Sequence, residues 1–229
     1  MALAATGLLI PAIFHDLPEI RHLRPAQNLF LEHELSLSVA VILLATYLLS
    51  LIFSLRTHKD LYNPARHGTE PDTLPDEAIW SVRRAVLVLF GATAMIAVVS
   101  EILSGAIAGA GEALGLSQLF LGVVVVAIVG NAAEHSTAIV MARKNQMDLA
   151  VGIAMGSALQ ITLFVAPVLV FASYLRSAPM DLLFTKMEVV AVVLAVLIVR
   201  MVAEDGESNW LEGVMLLMIY AILAMVFLV

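Results

Sequence analysis

Apolar residues along this chain gather in blocks rather than alternating with polar ones. Five blocks reach or approach the roughly 20 residues a helix needs to cross about 30 Å of hydrocarbon. They cover residues 36–55, 85–111, 119–141, 149–175 and 182–199, and a sixth covers 210–229. Charge inside them is sparse: Glu101 in the second, Glu134 beside His135 in the third, Lys186 and Glu188 early in the fifth, and Glu212 in the sixth. Residues 1–14 are also apolar but too short to span. They lack a preceding basic region and contain Pro11, so they read as the remnant of a truncated transmembrane helix rather than a signal peptide. Residues 56–84, with Pro64, Pro71 and Pro75, form the one long polar stretch and read as a linker. The pattern predicts an all-α integral membrane protein with about six transmembrane helices.

Composition agrees with a membrane class. Of 229 residues, 61% are hydrophobic and 14% charged, with a mean hydropathy of +0.98, which excludes an ordinary soluble domain. Without cysteine there is no disulfide framework and no thiolate metal site. A net charge of −7 with no basic cluster argues against nucleic acid as a partner. Arg56, Lys59, Arg66, Arg83, Arg84, Arg143, Lys144 and Arg200 fall on one side of the predicted membrane, against Arg21, Arg24, Arg176 and Lys186 on the other. The positive-inside rule then makes linker 56–84 cytoplasmic, with Trp80 and Trp210 as anchors on the same side.

Chemistry concentrates in the third and fourth blocks. At about 1.5 Å per residue, Glu134 lies roughly 22 Å into one helix and Gln160 roughly 18 Å into the next, both near mid-membrane. The short turn between the blocks makes them antiparallel neighbours, so the two residues are expected to face each other. Asn131 precedes Glu134 by three positions and Ser157 precedes Gln160 by three, each pair sharing a helix face. Gly152 and Gly156 stand at small-xxx-small spacing, which admits close approach of a partner backbone and loosens the helix. A carboxylate, two amides and a hydroxyl are hard oxygen donors, suited to calcium, sodium or protons rather than a soft metal. A carboxylate that binds either a cation or a proton supplies the competition that cation/proton exchange requires. An ionisable group this deep marks a function by default. Asn131, Ser157 and Gln160 alone are equally consistent with interhelical hydrogen bonds. His135 leaves the helix about 100° from Glu134 and is an accessory candidate, as is Glu101. Glu188 and Glu212, near membrane faces, read as structural.

The stretch "GNAAEH" at 130–135, followed by "MDLAVGIAMGSALQITLFVAPVLV", closely resembles the second signature repeat of calcium/proton exchangers in the calcium/cation antiporter superfamily. "GESNWLEG" at 206–213 is similar to that family's connection into its last helix. The resemblance implies a leading helix and two five-helix repeats of inverted topology, with a cation site between them and one glutamate from each. Carried over, Glu134 is the second-repeat glutamate and ligand of the transported Ca2+. Asn131, Ser157 and Gln160 line or support the site, and Gly130 belongs to the same motif. Residues 85–229 would be one five-helix repeat, and 36–55 the helix preceding it.

The implied function is the C-terminal half of an antiporter exchanging Ca2+ for H+. The ions are cargo and no cofactor is expected. The implied partners are membrane lipid and a missing N-terminal repeat supplied in cis or in trans, with a homo-oligomer left open. A bacterial inner membrane is the expected location. The linker lacks the dense acidic run often seen in that family, which leaves regulation by calcium there open. An enzyme is not indicated, because no nucleophile–base pair or closed metal-ligand set is visible. A sodium-coupled or monovalent cation/proton exchanger, or a non-transporting truncated fragment, remains the alternative.

Overall fold

Backbone polar groups in hydrocarbon have to be satisfied within the protein, and a helix does so within one segment. In the computed structural model every regular element among the described residues is helical. The structure describes residues 2–15, 17, 25–57, 80–175, 179–204 and 206–228. Most of linker 56–84, together with Arg21, Arg24, Lys59, Arg66 and Arg176 of the charge tally, lies outside them.

The helices are α1 (Ala2–His15), α2 (Pro25–Ile52), α3 (Val82–Leu114), α4 (Gln118–Gly130), α5 (Ala132–Arg143), α6 (Met147–Ser173), α7 (Lys186–Ala203) and α8 (Trp210–Leu228). Four of them, α2 (from Phe30, with the turn after it), α3, α6 and α8, are long and apolar enough to cross a membrane; α4 and α5 make a fifth if taken as one broken span. The fifth expected span changes at its ends. Helix α7 starts at Lys186 rather than 182 and carries Lys186, Glu188 and Arg200 in its terminal turns. Its start is fixed by a reciprocal cap. Thr185 Oγ1 accepts from the Glu188 N–H at 3.3 Å, and the Glu188 carboxylate accepts from the Thr185 N–H at 2.7 Å. Asn209 and Glu212 cap α8 in the same way. Both glutamates are therefore structural.

Two compact units are present. One holds residues 1–59 and 133–216. In it α6 packs along α2. Leu43 and Leu163 meet Ala4 of α1 in one apolar cluster, and Ala40, Val170 and Leu182 form a second. The Tyr47 and Phe164 rings lie 5.0 Å apart. Helix α1 approaches α2 at Gly7, where an added Cβ would come within 2.6 Å of Leu43 Cδ2. His15 Nδ1 and Glu32 Oε1 pair at 2.6 Å, which explains how Glu32 is carried buried in α2.

Helix α6 widens into a π turn over Ile161–Val165. Pro167, fully buried, lies just beyond. Its ring has no N–H for the Leu163 carbonyl and would clash with it in a regular helix, so the backbone opens one turn upstream. At the far end of α6, Ser36 of α2 accepts the Leu182 N–H at 3.0 Å, and Ser36 is 0% exposed. Ser36→Ala would strand that N–H in an apolar setting. A loss of about 1–3 kcal/mol is expected, read as a lower unfolding midpoint in detergent. An unchanged midpoint would show that the contact contributes nothing.

The other unit holds residues 60–132 and 217–229. Helix α3 ends where Gly115 adopts a left-handed φ of 66° and the Leu116 N–H donates to the Gly111 carbonyl at 3.0 Å, a glycine-dependent stop. Gly111 lies directly against the Leu121 side chain. Ser117 caps α4 by accepting the Phe120 N–H, and its hydroxyl donates to the Phe227 carbonyl at 3.0 Å, tying α4 to the end of α8.

Candidate functional site

The motif "GNAAEH" forms a helix break. Helix α4 ends at Gly130, and Asn131 has φ −99° and ψ 16°, outside helical values. Its side-chain amide donates to the Ala127 carbonyl at 2.9 Å, and its backbone N–H reaches the same oxygen at 3.3 Å. Asn131 is thus the terminator of α4, using its amide on the last turn. Helix α5 then restarts at Ala132 and places Glu134 in its first turn. The positive end of the helix dipole there favours a carboxylate. Sequence spacing anticipated a continuous helix with Asn131 and Glu134 on one face; the break interrupts that relation.

Glu134 is half-buried and His135 exposed. Among the described residues neither side chain has a hydrogen-bond or ion-pair partner. The turn after α5 is closed by Asn145 at φ 59°, with the Gln146 N–H donating to the Met141 carbonyl at 3.0 Å. Asparagine tolerates this left-handed position better than most residues. The turn is as short as expected, but α5 and α6 do not pack closely along their lengths. The apolar face of α6 is taken by α2 instead. That is why Gln160, at the mouth of the π turn, is exposed while Ser157 is half-buried.

Gly152, Gly156 and Gln160 recur every four positions and form an open stripe on α6. Beyond the local helix backbone, no described atom lies within 4 Å of where a Cβ would stand at Gly152, Gly156 or Gly130. Close approach occurs instead at Gly7 and Gly111. Glu101 is exposed on α3, in the other unit from Glu134. Among the described residues no three His, Asp or Glu side chains gather as a metal-ligand set. Within the unit that holds Glu134, α5 carries a carboxylate in its first turn after a helix break and α6 carries a polar stripe leading to a π turn, and the two helices do not pack along their lengths to bring Glu134 and Gln160 face to face. Pro167 was the sequence signal for that turn, a proline inside an otherwise uninterrupted helical block.

A family model described as sodium/calcium exchanger protein matches residues 84–229. A Ca(2+)/H(+) antiporter of Synechocystis sp. is 47% identical over 207 residues, covering 84% of this chain and 55% of the relative. The Ca(2+)/H(+) antiporter ChaA of Bacillus subtilis is 47% identical over 194 residues, with coverage of 84% and 54%. A vacuolar calcium ion transporter of Schizosaccharomyces pombe is 39% identical, covering 99% of this chain and 53% of its own. The solved structure of native YfkE superposes with a TM-score of 0.73 at 39% identity, covering 97% of this chain and 58% of that one. The chain spans about half the length of the curated relatives it matches.

Proposed function

Because this chain belongs to the sodium/calcium exchanger protein family, we propose that it forms the C-terminal half of an antiporter that exchanges Ca2+ for H+. Glu134 carries the exchange by holding either ion. Oxygens of Asn131, Ser157 and Gln160 supply neutral donors of the kind calcium accepts. Gly130, Gly152 and Gly156 keep the helix faces around them open. His135 and Glu101 are accessory residues. One carboxylate half-neutralises a divalent ion, which is costly at mid-membrane. A second carboxylate therefore comes from a complementary repeat, in cis or in trans, of the length by which the relatives exceed this chain. Linker 56–84 faces the cytoplasm, in a bacterial-type inner membrane, and the chain is not an enzyme.

The observation that supports this best is the break at Asn131 with Glu134 in the first turn beyond it. Transporters build cation sites at such discontinuous helices. The 47% identity to Ca(2+)/H(+) antiporters supports the choice of ions. The test is calcium uptake into everted vesicles that contain this chain with its complementary repeat. Uptake is expected to need an inward-acid pH gradient, to collapse with a protonophore and to ignore sodium. Uptake that needs sodium and ignores the pH gradient would replace the proton reading with sodium coupling.

A further inference from the structure

A cavity of about 570 Å³ lies between the first half of α6 and the last turns of α7, wholly within one unit. Its wall is mainly apolar, with Val151, Met155 and Ala158 from α6 facing Val199 and Val202 from α7. Its lining also includes Asp148, in the first turn of α6, and Glu207, in the connection to α8. No lining residue is basic. From Met147 to Ala158 the cavity runs along eleven residues of helix, about 16 Å at 1.5 Å per residue.

We propose that this cavity binds an amphiphilic organic cation, an alkylammonium whose chain lies along Val151, Met155 and Val202 and whose head sits at Asp148 and Glu207. Two features select that chemistry. An apolar slot with a few polar groups is the usual make-up of a small-molecule site. Two carboxylates in a lining with no basic residue attract a cationic head and repel an anionic one. A phospholipid fits less well, because its phosphate would face the same carboxylates. A metal ion gains nothing from a long apolar wall. The cavity borders Gly152, so a bound chain would lie against the stripe that leads to Gln160. The site does not depend on the exchange reading, since its occupancy is measured directly.

The test is photolabelling of this chain in vesicles of zwitterionic lipid with a diazirine-bearing dodecyltrimethylammonium. A dodecyl glucoside carrying the same photophore is the neutral control. Peptides covering 147–158 and 199–208 are expected to be labelled by the cation at least 5-fold over the neutral probe. The pair Asp148→Asn and Glu207→Gln should abolish that preference, and Val202→Trp, which fills the slot, should abolish labelling by both probes. Circular dichroism of each variant separates lost binding from lost folding. Should Val202→Trp not fold, Ala203→Leu serves as the filling variant. Equal labelling of the open apolar face of α3, or a preference that survives both charge substitutions, would overturn the proposal.

Discussion

Glu134→Gln is expected to reduce proton-driven calcium exchange by at least ~100-fold, or roughly 2.7 kcal/mol at 1.36 kcal/mol per decade. Glutamine keeps the shape and one carbonyl oxygen of the side chain but removes its charge and its titratable proton. A divalent ion then meets only neutral oxygens in a low-dielectric setting, where it remains uncompensated. Protons lose their carrier in the same step. Glu134→Asp keeps the carboxylate on a shorter arm and is expected to retain partial activity. Calcium-flux assays in vesicles with matched amounts of folded protein decide the matter. Wild-type exchange in the glutamine variant would remove Glu134 from the mechanism. Glu212→Gln is the control, because its carboxylate holds a helix start.

Pro167→Ala is expected to slow exchange by an order of magnitude or more without unfolding the chain. Alanine restores an N–H at 167, so the Leu163 carbonyl regains its partner and Ile161–Val165 closes to a regular turn. Removing one residue from the turn changes the phase of the helix on either side by about 100°. The C-terminal half of α6 is held, since Val170 is fully buried against Ala40 and Leu182. The rotation therefore falls on the half that carries Gly152, Ser157 and Gln160. The chain has no cysteine, so Gln160→Cys introduces a single thiol whose labelling rate reports the change. Equal labelling and equal exchange with and without Pro167 would show that the π turn is not needed.

Long apolar blocks made α2, α3, α6 and α8 readable to within a few residues at most ends, because a membrane helix is defined by length and absence of charge. The start of α2 was hidden. Glu32, His33 and Glu34 look like loop residues, yet they are helical, and Glu32 is tolerated through a pairing with His15 that lies 17 positions away. No local pattern encodes such a partner. Glu134 stood out because a lone carboxylate in an apolar block is rare. Its surroundings did not, because one helical period cannot reveal that the helix stops at Asn131. The short turn between α5 and α6 suggested side-by-side packing, but turn length fixes only where two helices begin, not how far they remain together. Glu188 and Glu212 could be set apart from Glu134 because they lie near membrane faces; the caps they form with Thr185 and Asn209 are what the structure adds.

Helix α2 is fastened to α6 and to the segment after it at several heights. Tyr47 meets Phe164 near one end, Ala40 meets Val170 in the middle, Ser36 takes the Leu182 N–H, and the Tyr174 hydroxyl donates to the His33 carbonyl at 3.3 Å. Contacts spread along two rods in this way resist sliding and twisting far better than a single contact of equal strength. The pair therefore behaves as one splinted strut. Any motion that opens the Gln160 stripe to one side of the membrane and then to the other must carry α2 along with it. The softer places left to absorb such a motion are those where the backbone already departs from the α-helix; they include the break at Asn131, the wide turn before Pro167 and the π segments at Leu121–Val126 and Phe53–Thr57.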